Sequence, residues 1–170
     1  GSMSRKETPE EEYERLIGEL AVLCETQGWG DPLSYARSKE ILAAIKLGHR
    51  VAPTLSGADA IGPNGEEYEY KSTIGKRCKG SYTGISVQPT WKEQKKYLIE
   101  EKIGKYPKHY YNRFEGGKLA EAYEMNVKDV LKILLPKLKR KHGTTLNNKD
   151  PRLSANVTWK EVEKYGTKVI

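Results

Sequence analysis

Three side chains that could act together on a phosphate ester lie on either side of one tight turn. Asp59 precedes a Gly-Pro-Asn-Gly turn at residues 62–65, and Glu69 and Lys71 follow it. Proline presets φ and Asn-Gly readily takes positive φ, so this turn is predicted to join the strands of a β-hairpin. Because side chains alternate faces along a strand, Glu69 and Lys71 share one face. The same turn places Asp59 opposite about residue 68, with its carboxylate beside that of Glu69.

Two carboxylates beside a lysine predict metal-assisted phosphoryl chemistry. Neighbouring carboxylates repel each other unless a cation neutralises them, and hard oxygen ligands together with waters suit Mg²⁺. Lys71 could then hold a water polarised by the metal and offset the charge of the attacked phosphate. The pair Asp59 and Glu69 therefore predicts a Mg²⁺ site, in which Mn²⁺ is expected to substitute.

The surroundings of the Glu69-Tyr70-Lys71 triplet matter because Glu-x-Lys is a common pattern. It recurs at residues 93–95 and 100–102. Both of those copies fall in a helix that the capping box beginning at Thr90 is predicted to open. Only residues 69–71 lie on a predicted strand with an acid across a tight turn. The alternative interpretation is a solvated edge strand with alternating charges.

In this arrangement the chain resembles the PD-(D/E)xK nuclease superfamily, the fold of many type II restriction endonucleases, junction resolvases and some homing endonucleases. In that family an acid starts one strand and the (D/E)xK triplet follows on the next. The resemblance implies that Asp59, Glu69 and Lys71 are catalytic, with the two acids binding metal and Lys71 assisting the water. It also implies an additional acidic ligand at Glu40, on the helix before the hairpin, with Glu67 as the rival for that role.

The resemblance extends over residues 35–130 in element order, although its specific motifs are short. Ala58 stands where the family often carries proline, the least strict position of the pattern. A restriction-endonuclease-like fold is implied, of three-layer α/β/α type, with helices flanking a mixed central sheet.

Periodicity, caps and turns predict the elements that position these residues. In chain order they are helices 10–27 and 34–47 (ending at Gly48), hairpin 58–61 and 66–72, strand 83–88, helix 90–102, hairpin 108–115 and 118–125 around Gly116-Gly117, and a helix after Asn126. Pro136 is predicted to end or kink that last helix, and residues 142–156 to form a loop before a short helix opened by Thr158. This order predicts an α+β fold with a mixed central sheet.

The chain length of 170 residues predicts one domain with a sizeable core. Residues 4–141 are expected to form this domain, with its core over about 35–130 and an N-terminal helical extension at 10–27. Residues 142–170 are expected to add a loop and a short helix packed on the same domain.

Basic residues concentrate after the triplet. Residues 71–110 carry ten basic and three acidic side chains, whereas residues 5–30 carry three basic and seven acidic ones, in a chain of net charge +7. This asymmetry favours a polyanion as partner, with charge for solubility as the alternative. The candidate nucleic-acid contacts are Lys76, Arg77, Lys79, Ser81, Tyr82, Lys105, Lys108, Lys139 and Arg140. His109 and His142 are expected at the surface, and His49 in a structural role.

Several protein classes are disfavoured by composition. No stretch reaches the roughly 20 apolar residues of a membrane helix, and no N-terminal segment resembles a signal peptide, so a cytoplasmic protein with no membrane partner is expected. Cys24 and Cys78 lack partners at metal-ligand spacing and are interpreted as ordinary thiols. No P-loop or dinucleotide fingerprint occurs.

The residues and the resemblance together predict a Mg²⁺-dependent endodeoxyribonuclease of the sequence-specific type II restriction kind. Double-stranded DNA is the expected substrate, and a homodimer is expected because one active site cuts one strand. The alternatives are a homing endonuclease or Holliday-junction resolvase of the same fold, or a non-catalytic DNA- or RNA-binding module whose acids are surface charges.

Overall fold

The computed structural model describes residues 5–53, 56–145 and 152–170. In chain order its elements are α1 (Pro9–Gln27), α2 (Tyr35–Leu47), β1 (Arg50–Val51), β2 (Ala60–Ile61), β3 (Glu67–Thr73), β4 (Gly80–Ser86), α3 (Trp91–Tyr97), β5 (Lys108–Glu115), β6 (Lys118–Asn126), α4 (Val127–Thr145), β7 (Arg152–Val157), α5 (Trp159–Tyr165) and β8 (Thr167–Lys168). A π-helical turn, Leu98–Lys102, extends α3. The predicted α+β class is confirmed.

Six of the strands form a mixed sheet in the order β1-β2-β3-β5-β6-β8. Strands β3 and β5 pair in parallel, and their neighbours pair antiparallel. The parallel pair needs a crossover, which runs through β4 and α3. Strands β4 and β7 form a separate antiparallel pair, called here the ribbon. The central sheet thus holds both hairpins that the turns predict.

The two faces of the sheet bury different side chains. On one face Tyr68 and Tyr70 of β3 and Tyr110 of β5 pack with Ala43 and Ala44 of α2. Tyr68 and Tyr70 alternate with Glu69 and Lys71, so this covered face is opposite the one that carries the acid and the lysine. The other face, which includes Tyr111 and Met125, packs against the ribbon, α4 and α5. The second face is therefore covered by a ribbon as well as by helices.

The predicted caps and turns are present in the structure. Thr90 and Thr158 each form a reciprocal capping box with the glutamate three residues later. Gly48 ends α2 with φ 75°, and the turn between β5 and β6 has positive φ at Gly116 and Gly117. Positive φ at both turn positions matches the right-handed twist of a two-residue hairpin.

The C-terminal region differs from the prediction. Residues 142–145 belong to α4 and residues 152–157 form β7, so only residues 146–151 of the predicted loop lie outside the described chain. Leu153 and Val157 of β7 are buried in the core. The period-2 alternation of Arg-Leu-Ser-Ala-Asn-Val was the available signal, and the adjoining Gly, Asn, Asp and Pro residues obscured it.

Three further expectations need correction. Of the two effects predicted for Pro136, ending the helix is wrong, because the neighbouring Leu134 and Leu138 are completely buried and hold α4 in place beyond it. His109 and His142 are buried instead of lying at the surface. The strand predicted at 83–88 begins at Gly80 and joins the ribbon instead of the central sheet.

Candidate active site

The first hairpin brings the two predicted metal ligands together. Ala60 of β2 pairs with Tyr68 of β3, and the Asp59 N–H donates to the Tyr68 carbonyl at 3.0 Å. One further step along this antiparallel register sets Asp59 opposite Glu69. The Asp59 Oδ2 atom accepts a hydrogen bond from the Tyr70 N–H at 2.8 Å, which fixes this carboxylate against the backbone of β3. The sequence prediction of neighbouring carboxyl groups is met.

The Glu69 carboxyl group is held in an unfavourable place for a charge. Burial, followed by the negative charge of Asp59, raises the pKa of Glu69 to about 8. The two carboxyl groups also share a hydrogen bond, in which protonated Glu69 can donate to Asp59. At neutral pH the pair therefore retains a proton unless a cation takes its place.

Lys71 lies beside this carboxyl pair on the same face of β3. Its Nζ is 3.8 Å from Glu69 Oε1 and 4.3 Å from the centre of the Tyr82 ring. An ammonium group over an aromatic face is attracted to the ring quadrupole, so Tyr82 helps to hold Lys71 in place. The strand thus supplies two acids and one oriented cation within a few ångströms.

A buried network orients the ring that supports Lys71. The Tyr82 hydroxyl lies 2.8 Å from His109 Nδ1 and 2.8 Å from the Tyr111 hydroxyl. His109 Nε2 is 3.1 Å from the Ile103 carbonyl, which can only accept, so we infer that the histidine proton is on Nε2 and that Tyr82 donates to Nδ1. Burial lowers the pKa of His109 to about 4, against the opposing effect of the backbone hydrogen bond to Ile103 and with the help of the positive charge of Lys71, so the ring is neutral.

Gly80 allows the close approach between the ribbon and the site. A Cβ atom at this position would lie 2.7 Å from Tyr111 Cε1 and 2.9 Å from Lys71 Cγ. We expect Gly80→Ala to displace the Lys71 stem, to destabilise the fold by about 1–3 kcal/mol, and to lower the DNA cleavage predicted from the sequence by roughly tenfold or more. Thermal unfolding and single-turnover cleavage would measure the two effects.

Gly18→Ala is the matched control for this substitution. Gly18 lies inside α1 with nothing within 4 Å of an added Cβ, so the variant should gain up to about 1 kcal/mol and leave cleavage unchanged. A folded Gly80→Ala protein that cuts at the wild-type rate would show that the Lys71 position is unimportant.

Glu40 approaches the site from α2 but is engaged elsewhere. Its Oε2 accepts from Arg37 Nη1 at 3.0 Å, and Arg37 is itself anchored to the Trp29 and Ala52 carbonyls. Burial and the charge of Asp59 raise the pKa of Glu40. Across residues 5–53, 56–145 and 152–170, no three His, Cys, Asp or Glu side chains are grouped so as to hold a metal ion. The additional ligand role of Glu40 stays a prediction.

The carboxyl pair has the chemistry that could hold Mg²⁺. Mg²⁺ is commonly held by one or two carboxylates and several waters, so Asp59 and Glu69 supply a sufficient set of protein ligands. A divalent cation would also replace the proton that Glu69 retains at neutral pH. The arrangement can support metal-assisted attack on a phosphate ester, with Lys71 as the nearby positive group.

No protein-family model and no curated protein matches this sequence.

Most of the predicted nucleic-acid contacts lie on exposed surface. Lys76, Lys79 and Ser81 are exposed on and beside the loop that leads from β3 to β4. Arg77 is also exposed, but it stacks on Trp159 and is paired with Glu163 at 3.3 Å. Lys139 and Arg140 are exposed on α4, and the structure does not bring them to the carboxyl pair.

Two of these predicted contacts occupy other surroundings. Tyr82 is buried in the network under Lys71, so it supports the site and its predicted DNA contact is wrong. Lys108 lies on the face of the sheet that packs with α2, where its Nζ is 2.9 Å from Glu124. That position is on the opposite face from Glu69.

Two residues near the site were not singled out by sequence reasoning. The Tyr106 hydroxyl donates to the Gly57 carbonyl at 2.6 Å, which ties the approach to β2 to the segment before β5. Gly57 also faces Lys105, whose Nζ would lie 3.7 Å from a Cβ added there. Lys105, one of the predicted phosphate contacts, therefore lies beside Gly57, which precedes Asp59 by two residues in the sequence. No sequence signal linked Tyr106 to Gly57, because they are 49 residues apart.

Within the described chain, none of the helices has both the length and the apolar character that crossing a membrane requires.

Proposed function

We propose that this chain is a Mg²⁺-dependent endodeoxyribonuclease that hydrolyses phosphodiester bonds in double-stranded DNA, of the sequence-specific type II restriction kind. The observation that carries the proposal is the half-buried Glu69 carboxyl group hydrogen-bonded to Asp59, with Lys71 Nζ 3.8 Å from Glu69. Two carboxyl groups this close repel each other when both are charged, and this repulsion destabilises the folded chain. Carboxyl groups with strongly raised pKa values beside a specific charge partner are typical of active sites.

The roles of the side chains follow from their charges. Asp59 and Glu69 would hold Mg²⁺, which would supply positive charge to polarise the phosphate and to lower the pKa of a water. Asp59 keeps its orientation through the Tyr70 N–H, so the ligand geometry is set before substrate arrives. Lys71 can donate from its ammonium group to a phosphate oxygen on which charge develops as the water oxygen bonds to phosphorus and the ester bond breaks. Lys105 and the exposed lysines after β3 would hold the flanking phosphates.

A binding module that lacks catalysis is less consistent with this geometry. Half-buried acids beside the lysine repel a phosphate, so they would weaken the binding of a polyanion instead of supporting it. Removing Asp59 from a binding module should leave binding equal or tighter and have no activity to abolish. A nuclease with the same change should bind and fail to cut.

The test is plasmid cleavage by the full chain and by Asp59→Asn. Wild-type protein should convert supercoiled plasmid and long linear DNA to discrete fragments in Mg²⁺ or Mn²⁺ and be inactive in EDTA. Asp59→Asn should lower the rate by about 10³-fold, and gel-shift binding in Ca²⁺ should be retained. Glu100→Gln, in the Glu-x-Lys copy on the helix, is the matched control and should cut normally.

A wild-type chain that binds duplex DNA but cuts no duplex in any of these metals would contradict the proposal. Cleavage of branched DNA or RNA alone would redirect it to a junction or RNA substrate.

A further inference from the structure

An apolar face of α1 and α2 is exposed in the single chain. Helix α1 is 19 residues long, and among its described side chains only Cys24 is buried. Nine large apolar side chains of α1, α2 and their connection are 41–70% exposed, and all but Val22 form this face: Tyr13, Leu16, Leu20, Leu23, Leu33, Tyr35, Leu42 and Ile45. Those of α1 recur at three- and four-residue spacing, which places them on one stripe of the helix. We call this surface the helical face.

The helical face is continuous across the two helices. A groove of about 220 Å³ between α1 and α2 is lined by Leu20, Leu23, Trp29, Leu42 and Ile45. Leu42 also lines a second hollow of about 500 Å³ on the other side of α2. Contiguous apolar surface of this kind is uncommon on monomers and marks an interaction site.

The charges around the helical face are complementary to each other. Helix α1 contains six acidic residues and one basic residue, whereas α2 contains three basic residues and one acidic residue. Glu12 and Glu19 lie one turn from Leu16 and Leu23, and Lys39 and Lys46 lie one turn from Leu42. A two-fold axis that sets α1 of one copy on α2 of another therefore joins apolar stripes and brings opposite charges together at both ends.

We propose that the helical face is the interface of a homodimer in which α1 of each copy packs against α2 of its partner. A second copy is the occupant because the acidic helix α1 has a partner of opposite charge, the basic helix α2, on the same chain. The interface is inferred from the helical face alone. Under the proposed function, this dimer also fixes two active sites relative to one duplex. Glu40, on the side of α2 away from Leu42, faces Asp59, so each site lies about one helix diameter, roughly 10 Å, from the interface.

The test measures the mass of the full chain in solution, without DNA or metal. Light scattering after gel filtration should give twice 19.3 kDa for the wild type at micromolar concentration. Leu42→Glu should weaken dimerisation about 100-fold and give a monomer with an unchanged circular dichroism spectrum. Val22→Glu is the matched control, because Val22 is exposed on the opposite side of α1, and it should stay dimeric.

Charge reversal tests the identity of the occupant. Reversing both acids (Glu12→Lys with Glu19→Lys) or both lysines (Lys39→Glu with Lys46→Glu) should weaken each homodimer at low salt. Mixing the two reversed proteins should restore a 1:1 heterodimer, because opposite charges then meet at both helix pairs. A recovered heterodimer would show that two copies of this chain face each other across these helices.

Two results would overturn the proposal. One is a wild-type monomer at 100 µM, which would leave the face to a different protein; the other is equal behaviour of Leu42→Glu and Val22→Glu. Both readouts are independent of catalysis. A monomer that cuts DNA would refute only the interface, and a dimer that cuts nothing would refute only the nuclease.

Discussion

Lys71→Met should lower DNA cleavage by about 10²–10³-fold while the protein remains folded and bound to DNA. The methionine retains an unbranched side chain of similar length, so its stem still packs over the Tyr82 ring on which Lys71 lies. What it removes is the positive charge 3.8 Å from Glu69. Single-turnover cleavage of a labelled duplex measures the loss, and fluorescence anisotropy in Ca²⁺ measures binding.

The chain contains its own control for the loss of a lysine charge. Lys102→Met changes the same residue type in a second Glu-x-Lys triplet, which here lies on an exposed helical turn. It removes the same net charge, so any general weakening of the attraction to DNA affects both variants equally. Equal cleavage by the two variants would refute a catalytic role for Lys71.

Local rules accounted for the hairpin that builds the site. The Gly-Pro-Asn-Gly turn fixes the register of β2 and β3, and alternation then decides which side chains share a face. Asp59 and Glu69 meet as predicted because both are within six residues of that turn. Capping boxes at Thr90 and Thr158 are equally local, and both were predicted correctly.

The elements that surround the hairpin depend on contacts distant in sequence. Tyr82 pairs with His109 and Tyr111 across 27 and 29 residues, and β4 pairs with β7 across about 70 residues. The spacing of residues within one segment does not reveal these long-range pairings. Tyr82 was therefore predicted to contact DNA from a loop, and its support of Lys71 became evident only from the three-dimensional arrangement.

The sequence also does not reveal which groups Glu40 contacts. Its place on the helix before the hairpin was predicted, and the negative charge of Asp59 does reach it. Arg37 lies three residues away on the same helical face, and its anchoring to two backbone carbonyls directs it toward Glu40. A sequence shows the spacing of such a pair but not that it competes with a metal.

Glu69→Gln should stabilise the metal-free protein, and increasingly so as the pH rises. Glu69 titrates at about 8 in the folded chain and near 4.5 when unfolded, so between these values the folded state binds the extra proton. Stability then falls as pH increases through this window, because the unfolded state releases its proton first. Glutamine stays neutral and still donates to Asp59, so the variant avoids a cost of about 4–5 kcal/mol at pH 8.5.

Thermal unfolding in EDTA at pH 5 and pH 8.5 measures this difference. The midpoints of Glu69→Gln and wild type should be close at pH 5 and separate by roughly 8–18 °C at pH 8.5, whereas Glu100→Gln should follow wild type at both. Adding Mg²⁺ should narrow the gap, since a cation that binds only the folded wild-type pair stabilises that state. A solvated edge strand predicts no gap at either pH, because exposed carboxylates repel weakly in water. A stabilised variant that no longer cuts would mean that this strand keeps a destabilising carboxyl pair because catalysis requires it.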